Sequence, residues 1–246
     1  MWGIFKKKST AFDGLDLSWL HTDMHSHLIP GIDDGAQTIE DSIQLIRELA
    51  RLGYKKLITT PHILWEMYPN SRETIMEGLS ILRKALQEQK VDIEIHAAAE
   101  YYIDDHFQQL LKDKTPLLTL KDNLVLVEFS MISAPLDLQE VLFEMQMQQY
   151  QPVIAHPERY IYLRNRQSFF DELRQGGAMF QLNLLSLVGH YGTSIQELAT
   201  YLLKNGFYDY AGTDLHGERH IQGLQKLAAS PLYDLLRNTP FKNSLL

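Results

Sequence analysis

In this 246-residue chain, histidines and carboxylates recur just beyond short apolar runs. His25 and His27 follow the run 19–24, His62 follows 56–60, Glu100 follows 93–99, and Glu128 lies near the end of 124–129. His156 follows 152–155, and Asp214 with His216 follow 207–211. Side chains alternate along an extended segment, so His25-Ser26-His27 turns two imidazoles to one side and Asp214-Leu215-His216 repeats the arrangement. A single His-x-His at a strand end is as often a surface or core feature. Two such pairs, joined by four single residues of ligand type, are harder to explain that way. Imidazole and carboxylate in this number suit zinc, manganese, iron or cobalt and exceed what one tetrahedral ion uses. Paired or tripled ions generate hydroxide at neutral pH and clamp the oxygens of a phosphoryl group, which points to a multi-metal hydrolase.

Other residues have local claims of their own. Asp33-Asp34-Gly35, after His27, fits plain turn chemistry, and it also fits one acid reaching a metal. Arg159, three residues after His156, is placed to take an anion with two hydrogen bonds, although a surface ion pair fits equally. Arg219, after His216, is similarly placed. Asn183 ends the run 178–182, where its amide could line a site or cap a helix. Tyr101 and Tyr102 could flank an aromatic substrate or simply pack. His21, His96, His106, His190 and His220 lack the strand-end placement and read as structural or surface residues.

These positions require elements that bring them together. Seven apolar runs, including 178–182, alternate with helical patterns at 38–52, 71–90, 137–149, 168–175 and 194–205, and a shorter one at 104–111. In 38–52, Ile39, Ile43, Ile46 and Leu49 recur at helical spacing between a Thr38 cap and Gly53. Repeated strand and helix imply parallel βαβ units, for which a closed barrel avoids exposed edges. All strand ends then face one mouth, where βα loops build active sites. No linker divides the chain, so residues 1–246 read as one domain.

The bulk properties narrow the partners. A formal charge of -8 and a pI near 5.7 exclude a general nucleic-acid-gripping surface. The absence of cysteine removes disulfides, zinc-thiolate sites and a thiol nucleophile. Residues 1–8 carry three lysines beside apolar residues but no signal-peptide core, so they read as a solvated tail of a cytoplasmic protein. No stretch approaches a transmembrane helix.

At these residues the sequence resembles the polymerase and histidinol phosphatase (PHP) family, and within it the bacterial protein-tyrosine phosphatases associated with capsule and exopolysaccharide synthesis. The matching motifs are Asp23-Met-His-Ser-His27, Asp33-Asp34-Gly35, Thr60-Pro-His62, Ala99-Glu100, Val127-Glu128-Phe129, Val153-Ile-Ala-His-Pro-Glu-Arg-Tyr160 and Gly212-Thr-Asp-Leu-His216. The resemblance implies an α/β fold, a distorted (β/α)7 TIM-like barrel of the PHP type with its metal site at the C-terminal mouth. It implies metal ligands at His25, His27, Asp34, His62, Glu100, Glu128, His156, Asp214 and His216, with Asp34 rather than Asp33 selected by the match. Two to three divalent ions are implied, manganese first, with iron, zinc, cobalt or magnesium as alternatives. The substrate-binding arginine falls on Arg159. Arg219 follows His216 more closely than the second arginine of related sequences does, and residues 1–18 extend beyond the family's usual start.

The implied reaction is phosphotyrosine hydrolysis through a metal-bound hydroxide, on a tyrosine kinase regulating polysaccharide export. A small-molecule phosphomonoesterase such as histidinol phosphatase is an alternative within the enzyme class. A non-catalytic metal-bound regulator that binds phosphoprotein is another outside it.

Overall fold

A computed structural model describes residues 14–246; the expected tail at residues 1–8 lies outside them. The strands are β1 (Thr22–Asp23), β2 (Lys56–Thr59), β3 (His62–Ile63), β4 (Glu94–Ala97), β5 (Glu100–Tyr102), β6 (Leu124–Glu128), β7 (Gln151–Ala155), β8 (Met179–Asn183) and β9 (Tyr210–Gly212). Between and after them run α1 (Ile39–Arg51), α2 (Arg72–Glu88), α3 (Asp105–Lys112), α4 (Leu138–Met147), α5 (Gln167–Gln175), α6 (Thr193–Lys204), α7 (Glu218–Leu224) and α8 (Tyr233–Asn238).

Helices α1, α2 and α3 form where amphipathic pattern and side-chain capping agree. In α1 the Thr38 side chain accepts from the Asp41 backbone while Asp41 returns a bond to Thr38, satisfying two otherwise orphaned donors. Its apolar face, Ile43, Leu45, Ile46 and Leu49, is buried in the main core. The two C-terminal helices, α7 and α8, are short and lack the sustained apolar period that marks the others.

All strand pairs are parallel, so this is an α/β protein with a curled parallel sheet. Strands β1, β2 and β4 form one ladder; β3, β5, β6, β7, β8 and β9 form the other in that order. The ladders are continuous in space. Thr60 donates to Ser26, Ala98 to Thr59 and Glu100 to Pro61 through backbone bonds of 2.7, 2.9 and 3.1 Å, carrying the pairing across the breaks between β2 and β3 and between β4 and β5. At the far edge, Asp214 donates to the His25 carbonyl at 2.8 Å and His27 to the Leu215 carbonyl at 2.9 Å. The curl thus returns the last strand to the first.

Alternation then sorts the side chains. Ile58, Ala98, Leu126, Val153, Ala155 and Tyr210 form an apolar cluster inside the curl, while Leu57, Ala99, Val127, Ile154 and Ala211 face the helices. Continuing the inner series by two residues gives Thr60 and His62, Glu100 and Tyr102, Glu128, and Gly212 and Asp214. The site therefore begins where the inner apolar cluster stops.

Several elements differ from the sequence expectation. The extended segment expected at 19–24 contains a 3-10 turn at Ser18–Leu20 and only two strand residues. The expected extension through residue 18 is not wholly peripheral. Leu15 and Leu17 are buried in the main core, and Leu17 donates to the Leu52 carbonyl at 2.8 Å.

Closure demands a glycine at 212. A Cβ there would lie 2.7 Å from the His25 Cβ and 2.9 Å from Gln181 Nε2. Gly212→Ala should therefore lower stability by about 2 kcal/mol, read as a fall of roughly 4–8 °C in the thermal midpoint. An unchanged midpoint would contradict this close approach.

Candidate metal centre

At the carboxyl ends of the strands, the donor atoms of His25, His27, Glu100 and Asp214 lie within 4.8 Å of one another, and so do those of His27, Asp34, His62 and His216. A third group, His62, Glu100 and Glu128, shares members with both. His156 adjoins it, with Nε2 3.0 Å from Glu100 Oε1 and 3.7 Å from Glu128 Oε2. All nine residues singled out as ligands thus meet in one place. Most are buried; Asp34, half-exposed, forms the open rim.

His156 enters by a different route from its neighbours. The inner series of β7 is Val153 and Ala155, so alternation alone would turn residue 156 outward. Its backbone is left-handed instead, with φ 33°, and Asp214 likewise has φ 49°. Non-glycine residues held there store strain of order 1 kcal/mol or more, which concentrates at functional sites.

The outer contacts of the imidazoles leave nitrogens free for the cluster. His27 Nδ1 donates to Asp33 Oδ2 at 2.8 Å, His25 Nδ1 to Gln181 Oε1 at 2.9 Å, and His216 Nδ1 to the Asp214 carbonyl at 2.9 Å. Each bond fixes the ring and turns Nε2 inward, the arrangement by which proteins orient metal-ligating histidines. His62 Nδ1 lies 3.2 Å from Glu100 and 3.1 Å from Glu128 without meeting hydrogen-bond geometry, and His156 Nδ1 has no partner among the described residues. Around buried Glu100, His25 Nε2 lies 3.1 Å from Oε2 and His156 Nε2 3.0 Å from Oε1, a convergence of imidazoles on one carboxylate that fits cations between them.

Charge gives the same answer. A cavity of about 430 Å³ opens over the cluster, lined by Asp34, Glu128 and Asp214 and by one arginine, Arg159. Buried Glu100 adds a fourth carboxylate below. Burial opposes charge on His25, yet Glu100 and Asp214 outweigh it and push its pKa up to about 9. His27 is raised well above its usual range, since Asp33, Asp214 and Glu100 together overcome burial. His220, also lining the cavity, is lowered to about 4, chiefly by burial.

The structure separates residues the sequence left together. Asp34 points into the cluster, 3.5 Å from His62 Nε2 and 3.4 Å from His216 Nε2. Asp33 stands behind His27 and also accepts from the Gly35 and His62 backbones. Tyr102 lines the cavity, whereas Tyr101 is buried in the core and its hydroxyl accepts from Leu118. Arg159 donates to Asp214 Oδ2 at 3.1 Å and faces the cavity. Arg219 is exposed in the first turn of α7 and does not line it. Sequence reasoning missed Gln181, which continues the inner series of β8 beside Asn183, and Tyr191, which follows no strand.

A curled parallel sheet with a histidine and carboxylate cluster at its strand ends defines the class of metal-dependent hydrolases. Within it, this chain belongs to the CpsB/CapC family, described as capsular polysaccharide synthesis, which it matches over residues 21–229. It is 31% identical over 195 residues to the tyrosine-protein phosphatase YwqE of Bacillus subtilis, covering 79% of this chain and 76% of that one. It is 31% identical over 201 residues to the tyrosine-protein phosphatase CpsB of Streptococcus pneumoniae, covering 79% and 82%. A solved structure from the work on YwqE and CpsB, which describes them as unique metal-dependent tyrosine phosphatases, superposes with a TM-score of 0.78. It shares 28% identity with this chain, covering 91% of this chain and 90% of that one.

The raised histidine pKa values predict how metal enters. With a folded pKa above the unfolded value near 6.5, the imidazolium stabilises the metal-free protein fully below about pH 6.5. That contribution is lost as pH rises through about 9. Ligation needs the neutral ring, so manganese uptake at pH 7 should release protons, and apparent affinity should rise with pH. Indicator-dye titration of metal-free protein in weak buffer measures the release. Proton-neutral uptake at pH 7 would contradict the charge state assigned to His25 and His27.

Proposed function

We propose that this chain is a metal-dependent protein-tyrosine phosphatase whose centre is built by the nine residues His25, His27, Asp34, His62, Glu100, Glu128, His156, Asp214 and His216. The observation that carries the reading is the overlap of three donor groups beneath a cavity containing a single guanidinium. Two to three divalent ions, manganese first, are the proposed occupants. When bound, such ions supply Lewis acidity toward the phosphoryl oxygens and an activated water.

The chain's own residues do the rest. Arg159 presents guanidinium N–H groups to the phosphate, since only one is committed to Asp214. Tyr102 lines the same cavity and offers an aromatic face to a phenolic ring, while Leu64 and Met131 exclude water at its edge. Asp33 and Gln181 hold His27 and His25 in place. Arg219, exposed and outside the cavity lining, is not assigned to the phosphate.

The same reading extends to architecture and setting. If the breaks in β2–β3 and β4–β5 are read as interruptions of single strands, the sheet becomes seven strands in sequential order. These form a distorted (β/α)7 barrel closed by the Ser26 and Leu215 bridge. The whole chain is then one domain. The proposed substrate is a phosphotyrosine-bearing protein, a bacterial tyrosine kinase of polysaccharide export, in the cytoplasm. No described helix is long and apolar enough to cross a membrane.

Manganese-loaded protein should hydrolyse a phosphotyrosyl peptide, lose that activity to a chelator, and contain at least two ions per chain. His156→Ala should cut turnover about 100-fold while thermal unfolding remains cooperative. Turnover of histidinol phosphate alone, at equal enzyme concentration, would replace the tyrosine reading with the small-molecule one. Full activity in the His156 variant would make the cluster structural.

A further inference from the structure

Two residues outside the nine candidate ligands connect the arginine to the cluster. The Arg159 guanidinium carbon lies 4.6 Å from the centroid of the Tyr191 ring. Asn183, the last residue of β8, donates through Nδ2 to the Tyr191 hydroxyl at 3.1 Å and to Asp214 Oδ2 at 2.7 Å. Its amide oxygen accepts from the Leu185 backbone at 2.9 Å. Its own backbone N–H donates to buried Glu158 at 2.9 Å, and Glu158 also accepts from the Tyr208 hydroxyl at 2.9 Å. The amide of Asn183 is fully engaged and therefore has one orientation.

We propose that Tyr191 is a positioning residue for phosphate binding, an aromatic platform tethered by Asn183 that holds the Arg159 guanidinium over the cavity. The inference rests on the reading of Arg159 as the phosphate-binding residue. An arginine has many rotamers in water, and one already lying on a ring loses less freedom when an anion arrives. A guanidinium over an aromatic face is also attracted by the ring quadrupole. The platform leaves the edge of the guanidinium, where its N–H groups point, open to the cavity. Asp214 takes one N–H through Oδ2, and its other oxygen faces His25 and His27 at 3.3 and 3.4 Å.

The test is inorganic phosphate binding to manganese-loaded protein by calorimetry, with KM and kcat for an aryl phosphate measured on the same samples. The series is wild type, Tyr191→Leu, Tyr191→Phe, Arg159→Ala and the Tyr191→Leu/Arg159→Ala double variant. Tyr191→Leu should weaken phosphate binding and raise KM by about 3- to 30-fold, with kcat changing less and bound metal unchanged. Tyr191→Phe keeps the ring and loses the tether, and should stay within about threefold of wild type. In the Arg159→Ala background, Tyr191→Leu should have no further effect. If Tyr191→Leu fails to retain metal, Tyr191→Met is the second aliphatic variant and is read the same way.

An additive double variant, a Phe variant as defective as the Leu variant, or unchanged binding in the aliphatic variants would overturn the platform. Unchanged phosphate binding in Arg159→Ala would overturn it too, by removing the arginine reading on which it rests. Wild type that binds phosphate without hydrolysing the aryl ester would instead overturn the phosphatase reading, and the binding series would still decide the platform.

Discussion

The structure is organised around a concentration of negative charge that the chain alone barely balances. Asp34, Glu100, Glu128 and Asp214 converge at one end of the curled sheet, with Asp33 behind them and, among the described residues, Arg159 as the one arginine or lysine in the cavity lining to oppose them. Two like charges 4 Å apart repel by about 4 kcal/mol even at an effective dielectric near 20. Protons on the imidazoles relieve this in the metal-free protein, which is why burial fails to keep His25 neutral. Cations relieve it more completely, because each can be shared among several oxygens. The overlapping membership of the donor groups, through His27, His62 and Glu100, is the geometry that such sharing requires.

A cluster of this kind is useful only if its donors keep their directions, and much of the surrounding polar structure serves that end. Asp33, Gln181 and the Asp214 carbonyl each hold the outer nitrogen of a different imidazole. Gln181 also accepts from the His156 backbone at 3.2 Å, so one amide steadies two candidate ligands from different strands. The turn that carries Asp33 and Asp34 folds back tightly enough that a Cβ on Gly35 would lie 2.3 Å from the His27 carbonyl oxygen. Two adjacent acids can face different ways because that glycine permits the approach.

How much of this could be read from sequence depends on whether a residue's position follows from its own strand. Glu100, Glu128 and Asp214 continue inner-facing series that the apolar residues already reveal, so a period of two was enough to find them. His25 and His27 were legible as a pair because a period of two turns both to one side, although the inner apolar residue of their segment, Met24, continues to Ser26 and not to either imidazole. His156 was found by residue type at a strand end, although its side chain reaches the site through a left-handed backbone that alternation does not predict. Tyr191 follows the 3-10 turn Leu184–Val188 and reaches the cavity by a long-range contact, so no local period marks it. Arg219 shows the complementary case: nearness to His216 in sequence says nothing of direction once a helix turn begins, and that turn leaves Arg219 in solvent. The interrupted strands were read as continuous because an apolar run does not reveal where its ladder changes partner.

The division of Asp214 between its two oxygens joins anion binding to the metal cluster. Oδ2 is held by Arg159 and Asn183, and Oδ1 faces His25 and His27. Through that carboxylate, anything that changes the contact of Arg159 with Oδ2 changes the charge that Oδ1 presents to the two imidazoles, and by thermodynamic reciprocity the reverse holds to the same degree.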